Sequence, residues 1–398
     1  MGFQSVRDLD VRGHRVFLRA DLNVPLKEGQ ISDATRIQET LPTLKYLLDG
    51  GASVVLASHL GRPEGKGFEA AYSAAPVAAW LKEQSFDCRL ASYVNGATVE
   101  TEAAALKPGQ VLLLENLRFE KGETKNTEDF ATSLAKLADT YVNDAFGSAH
   151  RAHASVSGMV GHFPKDRVAA GFLMEKELKA LAKVIENPEK PLVVIFGGAK
   201  VSDKIELIHN FLGKADAILI GGAMSYTFLK AQGFEIGKSL CELDKVDLAL
   251  DLLKQAKAKG TCLLLPLDHV AAIEFKEDAD CAITVDQNIP ADRMALDIGP
   301  ETVAAYAAEI RAAKTLLWNG PMGVFEMAQY ASGTLTVAEE LAEAADRGAF
   351  VLVGGGDSVA AVNKAGVASR MSHVSTGGGA SLEFLSGLEL PGVTALSK

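Results

Sequence analysis

Only four cysteines occur in 398 residues, at positions 88, 241, 262 and 281. No two have the close spacing of a metal knuckle or a redox pair, which excludes a disulfide framework and a cysteine-built zinc site. The thiols read as buried or free in a reducing compartment. No apolar run approaches the roughly 18 residues of a membrane span. The opening MGFQSVRDLD holds no apolar stretch and no small-residue cleavage site, and Val6 stands where a myristoylation pattern needs Ser or Thr. A cytoplasmic protein is expected. Positive charge is also short: 40 Lys and Arg face 51 Asp and Glu, a net charge of −11. That balance argues against nucleic acid and against anionic membrane as partners.

Standard nucleotide motifs are missing too. GFEIGKS (233–239) resembles a Walker loop, but three residues separate its glycines and no apolar strand precedes it, so it reads as a loop. GKGFEA (65–70) spells a dinucleotide-type turn without the strand that should lead into it. There is no HExxH.

What is present is a soluble globular composition, 48% apolar and 23% charged, at a length that suits two domains of about 200 residues. One pattern repeats. Short β-branched runs end in a small or polar cluster, and a helical stretch follows. VFLRA (16–20), SVVLA (53–57), VLLLE (111–115) and TYV (140–142) form a first group. VVIF (193–196), AILI (217–220), LLLPL (263–267), TLLW (315–318) and FVLV (350–353) form a second. Helical spacing fills segments such as 34–51 and 245–260. This predicts an α/β protein with two doubly wound, parallel-sheet, Rossmann-like domains. In 171–191, Leu178, Leu181 and Ile185 share one helical face, and Pro188 and Pro191 end the segment. It predicts one helix joining the domains. The expected division is an N-terminal domain over 1–172, the joining helix over 173–188, and a C-terminal domain over 189–380.

Ligands of open parallel sheets bind beyond the carboxyl ends of the strands. In the first group those ends carry Asp21, Asn23, His59, Arg62, Arg118, His150, Arg151 and His153, with Arg36 soon after the first strand. A single arginine there reads as a surface ion pair. Their recurrence at one edge of an acidic protein points to a small polyanion gripped by guanidinium forks. In the second group the ends carry Gly-Gly pairs, which let backbone and helix N-termini approach phosphates. Lys200 and Lys204 are candidate phosphate cations there, and Asp357 a candidate magnesium ligand. A basic site in one domain and a Gly-lined site in the other make a kinase-like layout.

Eight blocks resemble phosphoglycerate kinase in that family's order: RADLNVP (19–25), SHLGRP (58–63), LLENLRFE (113–120), NDAFGSAHRAHAS (143–155), GGAKVSDK (197–204), WNGPMGVFE (318–326), GGGDS (354–358) and TGGGASLEFL (376–385). The resemblance implies reversible, magnesium-dependent phosphoryl transfer between 1,3-bisphosphoglycerate and ADP, giving 3-phosphoglycerate and ATP, by a glycolytic monomer. It implies that Asp21, Leu22, Asn23, Arg36, His59, Leu60, Gly61, Arg62, Arg118 and Arg151 bind the phosphoglycerate. Lys204, Asn319, Pro321, Glu326, Gly355, Gly356, Asp357 and Ser358 would bind the nucleotide, with Asp357 on Mg2+. Arg36, Lys200, Lys204, Gly377, Gly378 and Gly379 would face the transferring phosphoryl group. Residues 381–398 would return to the N-terminal domain. Ala295 stands where the family commonly has Gly, and is left outside the expected site. Two other classes compete. An NAD-dependent oxidoreductase would need G-x-G-x-x-G directly after a strand, which is absent. A non-catalytic nucleotide sensor would tolerate loss of Arg36 or Lys200, and both are present.

Overall fold

The computed structural model describes residues 2–397. The apolar runs become strands because both faces are covered. Val16, Leu18 and Ala20 pack against Ile37, Leu44 and Leu47 of the helix Thr35–Asp49 (α1), while Phe17 on the other face stacks on Tyr141 at 6.1 Å. Each buried Val, Leu, Ile or Phe among them contributes about 1.5–3 kcal/mol by leaving water. The chain divides into two compact units: residues up to 178 together with those from 389 on, and residues 179–388.

Unit 1 holds a six-stranded parallel sheet of Arg15–Ala20 (β1), Ser53–Ala57 (β2), Asp87–Leu90 (β3), Gln110–Leu113 (β4), Thr140–Asp144 (β5) and Val168–Ala170 (β6). Its spatial order is β3-β4-β2-β1-β5-β6. From β1 the chain first winds to one side through β2 and then crosses to the other at β5, so the topological switch lies between β1 and β5. Residues near the C-terminus are tied to this unit: Gly392 N–H donates to Ala149 O at 2.8 Å, and Phe3 bridges Ser397.

Unit 2 contains Leu192–Phe196 (β7), Ala217–Ile220 (β8), Cys262–Leu264 (β9), His269–Ala272 (β10), Cys281–Ile283 (β11), Met294–Ile298 (β12), Thr315–Asn319 (β13), Phe350–Val353 (β14) and His373–Val374 (β15). Six of them form a second parallel sheet, β9-β8-β7-β13-β14-β15, whose switch lies between β7 and β13. The expected α/β architecture with two parallel sheets is therefore observed. β10, β11 and β12 form a separate antiparallel sheet that the apolar runs did not announce. The run expected over 263–267 stops at Leu264, two residues before Pro266, which has no N–H to continue a ladder.

The joining segment is a helix, Phe172–Ile185 (α2). The buried Asp144 at the end of β5 caps it, accepting from Leu173 N–H at 2.8 Å and Met174 N–H at 3.1 Å. Thr43 Oγ1, on α1, accepts from Phe172 N–H at 2.9 Å. Three of the first-turn donors, which have no partner within a helix, are thus satisfied.

Candidate functional site

In unit 1 the loops after β1, β2, β4 and β5 converge beside the switch. The loop after β1 is folded by its own polar side chains. Asp21 Oδ1 accepts from Asn23 N–H at 3.2 Å, and Asp21 Oδ2 takes the Arg36 guanidinium at 2.6 Å. Asn23 Oδ1 accepts from Gly61 N–H at 2.8 Å, joining this loop to the one after β2. Arg118 then donates to Gly61 O at 2.9 Å, drawing in the loop after β4. Asp21, Asn23, Arg36, Gly61 and Arg118 thus form one connected set.

Leu22 and Leu60 point into the core, 2% and 5% exposed. Their backbone donors are engaged as well, Leu22 N–H with Ser58 Oγ and Leu60 N–H with Asn116 Oδ1. They shape the loops and offer no side chain to a ligand. Arg62 and Arg151 are exposed, and His59 and His153 are buried. Burial, followed by the charges of Arg19 and Arg118, holds His59 well below the usual histidine range. Burial and then the same arginines, Arg118 first, push His153 down to about 4. Arg118 is lowered by its own burial and by Arg19 and Arg151. Its Nε is buried without a hydrogen-bond partner. Cations that depress one another, one with an orphaned donor, make a site built for an anion.

Arg19 was not expected among the site residues. It lies inside an apolar strand and is fully buried, with Nη2 3.3 Å from His59 Nδ1 and Nε donating to Ser155 Oγ at 2.8 Å. Glu123, also fully buried, accepts from Ser155 Oγ at 2.6 Å and lies 3.8 Å from His153 Nδ1.

In unit 2 the loops after β7, β8 and β13 border a cavity of about 500 Å³. Tyr226, Leu240, Phe275, Met294, Leu296 and Val324 give it apolar walls, and Gly198, Gly222 and Gly323 bring backbone to its edge. Only glycine suits position 222. Its φ is +64°, and a Cβ there would sit 2.6 Å from Gly198 N and 2.9 Å from Pro321 O. Pro321, Glu326 and Asp357 of the expected set line the cavity. Ala295, left out at the sequence level, lines it too, with its N–H on Ser239 Oγ at 3.0 Å. Lys238, within the GFEIGKS loop, is also in the wall.

Lys204 donates to Asn319 Oδ1, and Asn319 Nδ2 donates to Gly354 O at 2.7 Å. The Asn319 amide is thus spent on placing Lys204. Burial lowers Lys204, opposed by the charges of Asp203 and Asp357. Ser358 is fully buried and accepts from Gly320 N–H at 2.6 Å, which latches the β13 loop to the helix Gly356–Lys364 (α3). Gly355 precedes that helix at φ +91°, and a Cβ there would meet Asn319 Nδ2 at 2.8 Å. Gly356, Asp357 and Lys200 are exposed. Farther along, Gly377 N–H is engaged by Ser375 Oγ at 3.2 Å, while Gly378 and Gly379 are exposed at the start of the helix Gly379–Leu385.

A magnesium ion would find one candidate ligand in particular. Among the described residues no group of three or more His, Cys, Asp or Glu could cage an ion. Asp357 nonetheless presents a carboxylate to the cavity wall within the electrostatic reach of Lys204. Magnesium is commonly held by one or two carboxylates plus substrate phosphates, so this donor set suits it.

Comparisons with known proteins point to one family. The family model described as phosphoglycerate kinase matches residues 6–388. A phosphoglycerate kinase of Moorella thermoacetica is 55% identical over 397 residues, 99% of each chain. One from Clostridium novyi is 52% identical over 397 residues, covering 99% of this chain and 98% of the relative. Among solved structures, phosphoglycerate kinase from Coxiella burnetii is similar with a TM-score of 0.92 at 42% identity, covering 99% of this chain and 98% of that one. The enzyme from Pyrococcus horikoshii is similar with a TM-score of 0.81 at 33% identity, over 99% and 98% of the two chains.

Proposed function

The chain belongs to the phosphoglycerate kinase family and is a glycolytic phosphotransferase with a carboxyl group as acceptor; from that premise we propose how its two crevices divide the work. The crevice of unit 1 takes 3-phosphoglycerate or 1,3-bisphosphoglycerate. The cavity of unit 2 takes ADP or ATP with magnesium. The carrying observation is the contrast at the two switch points. One holds mutually depressed cations with the orphaned Arg118 Nε, and the other holds a Gly-edged apolar slot with Asp357 at its wall.

In the ATP-forming direction a β-phosphate oxygen of ADP attacks the acyl phosphorus. A new P–O bond forms as the acyl P–O bond breaks, and the carboxylate of 3-phosphoglycerate leaves with the electron pair. The acyl phosphate is already activated, so no base is needed. The protein's task is alignment and fixed positive charge. Arg36, Lys200 and Lys204 supply charge, and the Gly377–Gly379 turn supplies backbone N–H groups, chiefly those of Gly378 and Gly379. Asn319 and Ser358 hold Lys204 and the β13 loop in place. Glu326 accepts from the ribose hydroxyls. Asp357 would hold magnesium, which would supply positive charge against the phosphates.

Ligands assigned to separate units must meet, so a hinge closure driven by both ligands belongs to the same proposal, with the ends of the 171–191 segment and the 375–379 loop as hinges. We further propose a cytoplasmic monomer. Each crevice is built within one chain, and the described cysteines are all free thiols. A coupled spectrophotometric assay with 3-phosphoglycerate and ATP tests the reading. Turnover is expected with magnesium and is expected to collapse when the metal is chelated; turnover indifferent to chelation would remove Asp357 and the metal from the mechanism.

A further inference from the structure

We infer that Arg19 is a positioning residue of the phosphoglycerate site: its guanidinium donates to Nδ1 of His59 and fixes that ring as the neutral tautomer with its proton on Nε2. This rests on the assignment of phosphoglycerate to unit 1. Burying an arginine inside a strand is costly unless its donors are met. Here they are met from several directions. Nε donates to Ser155 Oγ at 2.8 Å, Nη1 to Ala20 O, and Nη2 to His59 Nδ1 at 3.3 Å. Ser155 is pinned in turn by Glu123, through its hydroxyl at 2.6 Å and its N–H at 2.9 Å. The guanidinium is therefore locked between β1, the loop after β2 and the loop after β5.

Guanidinium has five donors and no acceptor. Its contact with Nδ1 requires a lone pair on that nitrogen, which leaves the single proton of the neutral ring on Nε2. A second proton on Nδ1 would set N–H against N–H and charge against charge. The other groups acting electrostatically on His59 are Arg118, His153 and Arg36, and none of them favours an imidazolium. An arriving anion would ordinarily raise the ring's affinity for a proton. Arg19 occupies the position that proton would take. His59 thus meets its ligand as a hydrogen-bond donor with a fixed charge, and the site recognises an anion without titrating this ring.

The test uses the full chain labelled with 15N-histidine and long-range 1H–15N correlation spectra, with His59 assigned through His59→Gln. The expected result is an Nε2 proton and a bare Nδ1 from about pH 6 to 8, both free and saturated with 3-phosphoglycerate. In Arg19→Met the ring is expected to lose its tautomer preference or to gain a second proton on binding. KM for 3-phosphoglycerate should rise about tenfold or more, with a smaller change in kcat. Arg19→Lys, which keeps a donor in the same cavity, should restore part of the preference. A wild-type His59 protonated on Nδ1, or carrying two protons at pH 7, would overturn the inference whether or not the variants fold. Failure of wild-type protein to bind 3-phosphoglycerate would instead overturn the site assignment; the free-protein tautomer is read separately.

Discussion

The crevices of the two units sit at the same topological place, the switch point of a parallel sheet, and are lined by different means. Unit 1 uses side-chain charge: Arg36, Arg62, Arg118 and Arg151 above a buried Arg19–Ser155–Glu123 support. Unit 2 uses shape and backbone: an apolar slot, glycines that no larger residue can replace, and few charges. A small, highly charged ligand has little surface to bury, so its affinity must come from charge-assisted hydrogen bonds. A nucleotide brings a flat apolar base as well as phosphates, so a slot and a glycine edge serve it. On the proposed assignment, topology sets where the ligands go and the residues at the strand ends set which ligand goes to which unit.

The largest expected effect breaks this comparison on the side of charge. Arg36 is half-exposed at the start of α1 and held by Asp21 at 2.6 Å, so its guanidinium is oriented while remaining accessible. Arg36→Ala should lower turnover by roughly 10³–10⁵, the range seen when a guanidinium is taken from a phosphoryl-transfer site. ATP affinity, which depends on the other unit, should hardly change. Steady-state kinetics with both substrates varied checks this. Turnover within about threefold of wild type would remove Arg36 from the transferring phosphate.

A smaller effect is expected in unit 2. Asp357→Asn keeps the size of the residue and removes its charge. Binding of the magnesium nucleotide should weaken about ten- to a hundredfold, because magnesium prefers anionic oxygen, while 3-phosphoglycerate binding stays near wild type. Calorimetry with each ligand alone separates the two. Equal loss of both would point to misfolding or to a wrong site assignment.

The comparison also explains what could be read from the letters. The two parallel sheets were legible because strands covered on both faces become continuous apolar runs, as in SVVLA and VVIF. β3 was not: DCRL is short, polar and at the sheet edge, where no periodicity marks it. The antiparallel sheet of β10, β11 and β12 escaped because β11 and its flanks are largely exposed. The charged edge of unit 1 was nearly all visible, since Arg and His at strand ends stand out; Arg19 was missed because one charged letter in VFLRA looks like strand. The shape-based site was half visible. Gly-Gly and Asp357 carry a signal and Glu326 came from the family resemblance, but Leu240, Phe275 and Met294 are ordinary apolar letters from distant segments. Only the fold brings them together.

The smallest effect concerns proton linkage, where the units again differ. In unit 1, burial depresses the site residue His153 to about 4 from 6.5. Between those values the unfolded chain binds the extra proton, so His153 costs stability as pH falls through that window. In unit 2, Asp297 lies behind the cavity edge. It accepts from Gly333 N–H at 2.7 Å and Ile298 N–H at 2.9 Å, and its Cγ is 2.6 Å from where a Cβ on Gly323 would be. Burial, only partly offset by those two hydrogen bonds, raises its carboxyl from 3.8 to about 7. Here the folded state keeps the proton longer, so its stabilising share is complete below 3.8 and is lost as pH rises towards 7. Asp144 of unit 1, raised to about 6, and His269 of unit 2, lowered to about 4, each oppose the trend of their own unit. Only a difference measurement isolates Asp297. Asp297→Asn does not titrate, so its stability relative to wild type should climb by about 1 kcal/mol per pH unit between pH 5 and 6.5 and level off above 7. Trp318 is fully buried in unit 2, and a Trp80→Phe background makes it the sole tryptophan. Urea unfolding followed by its fluorescence reads this unit directly. Parallel stability curves for the two proteins across that range would mean that Asp297 is already ionised in the folded state, held by its two backbone donors.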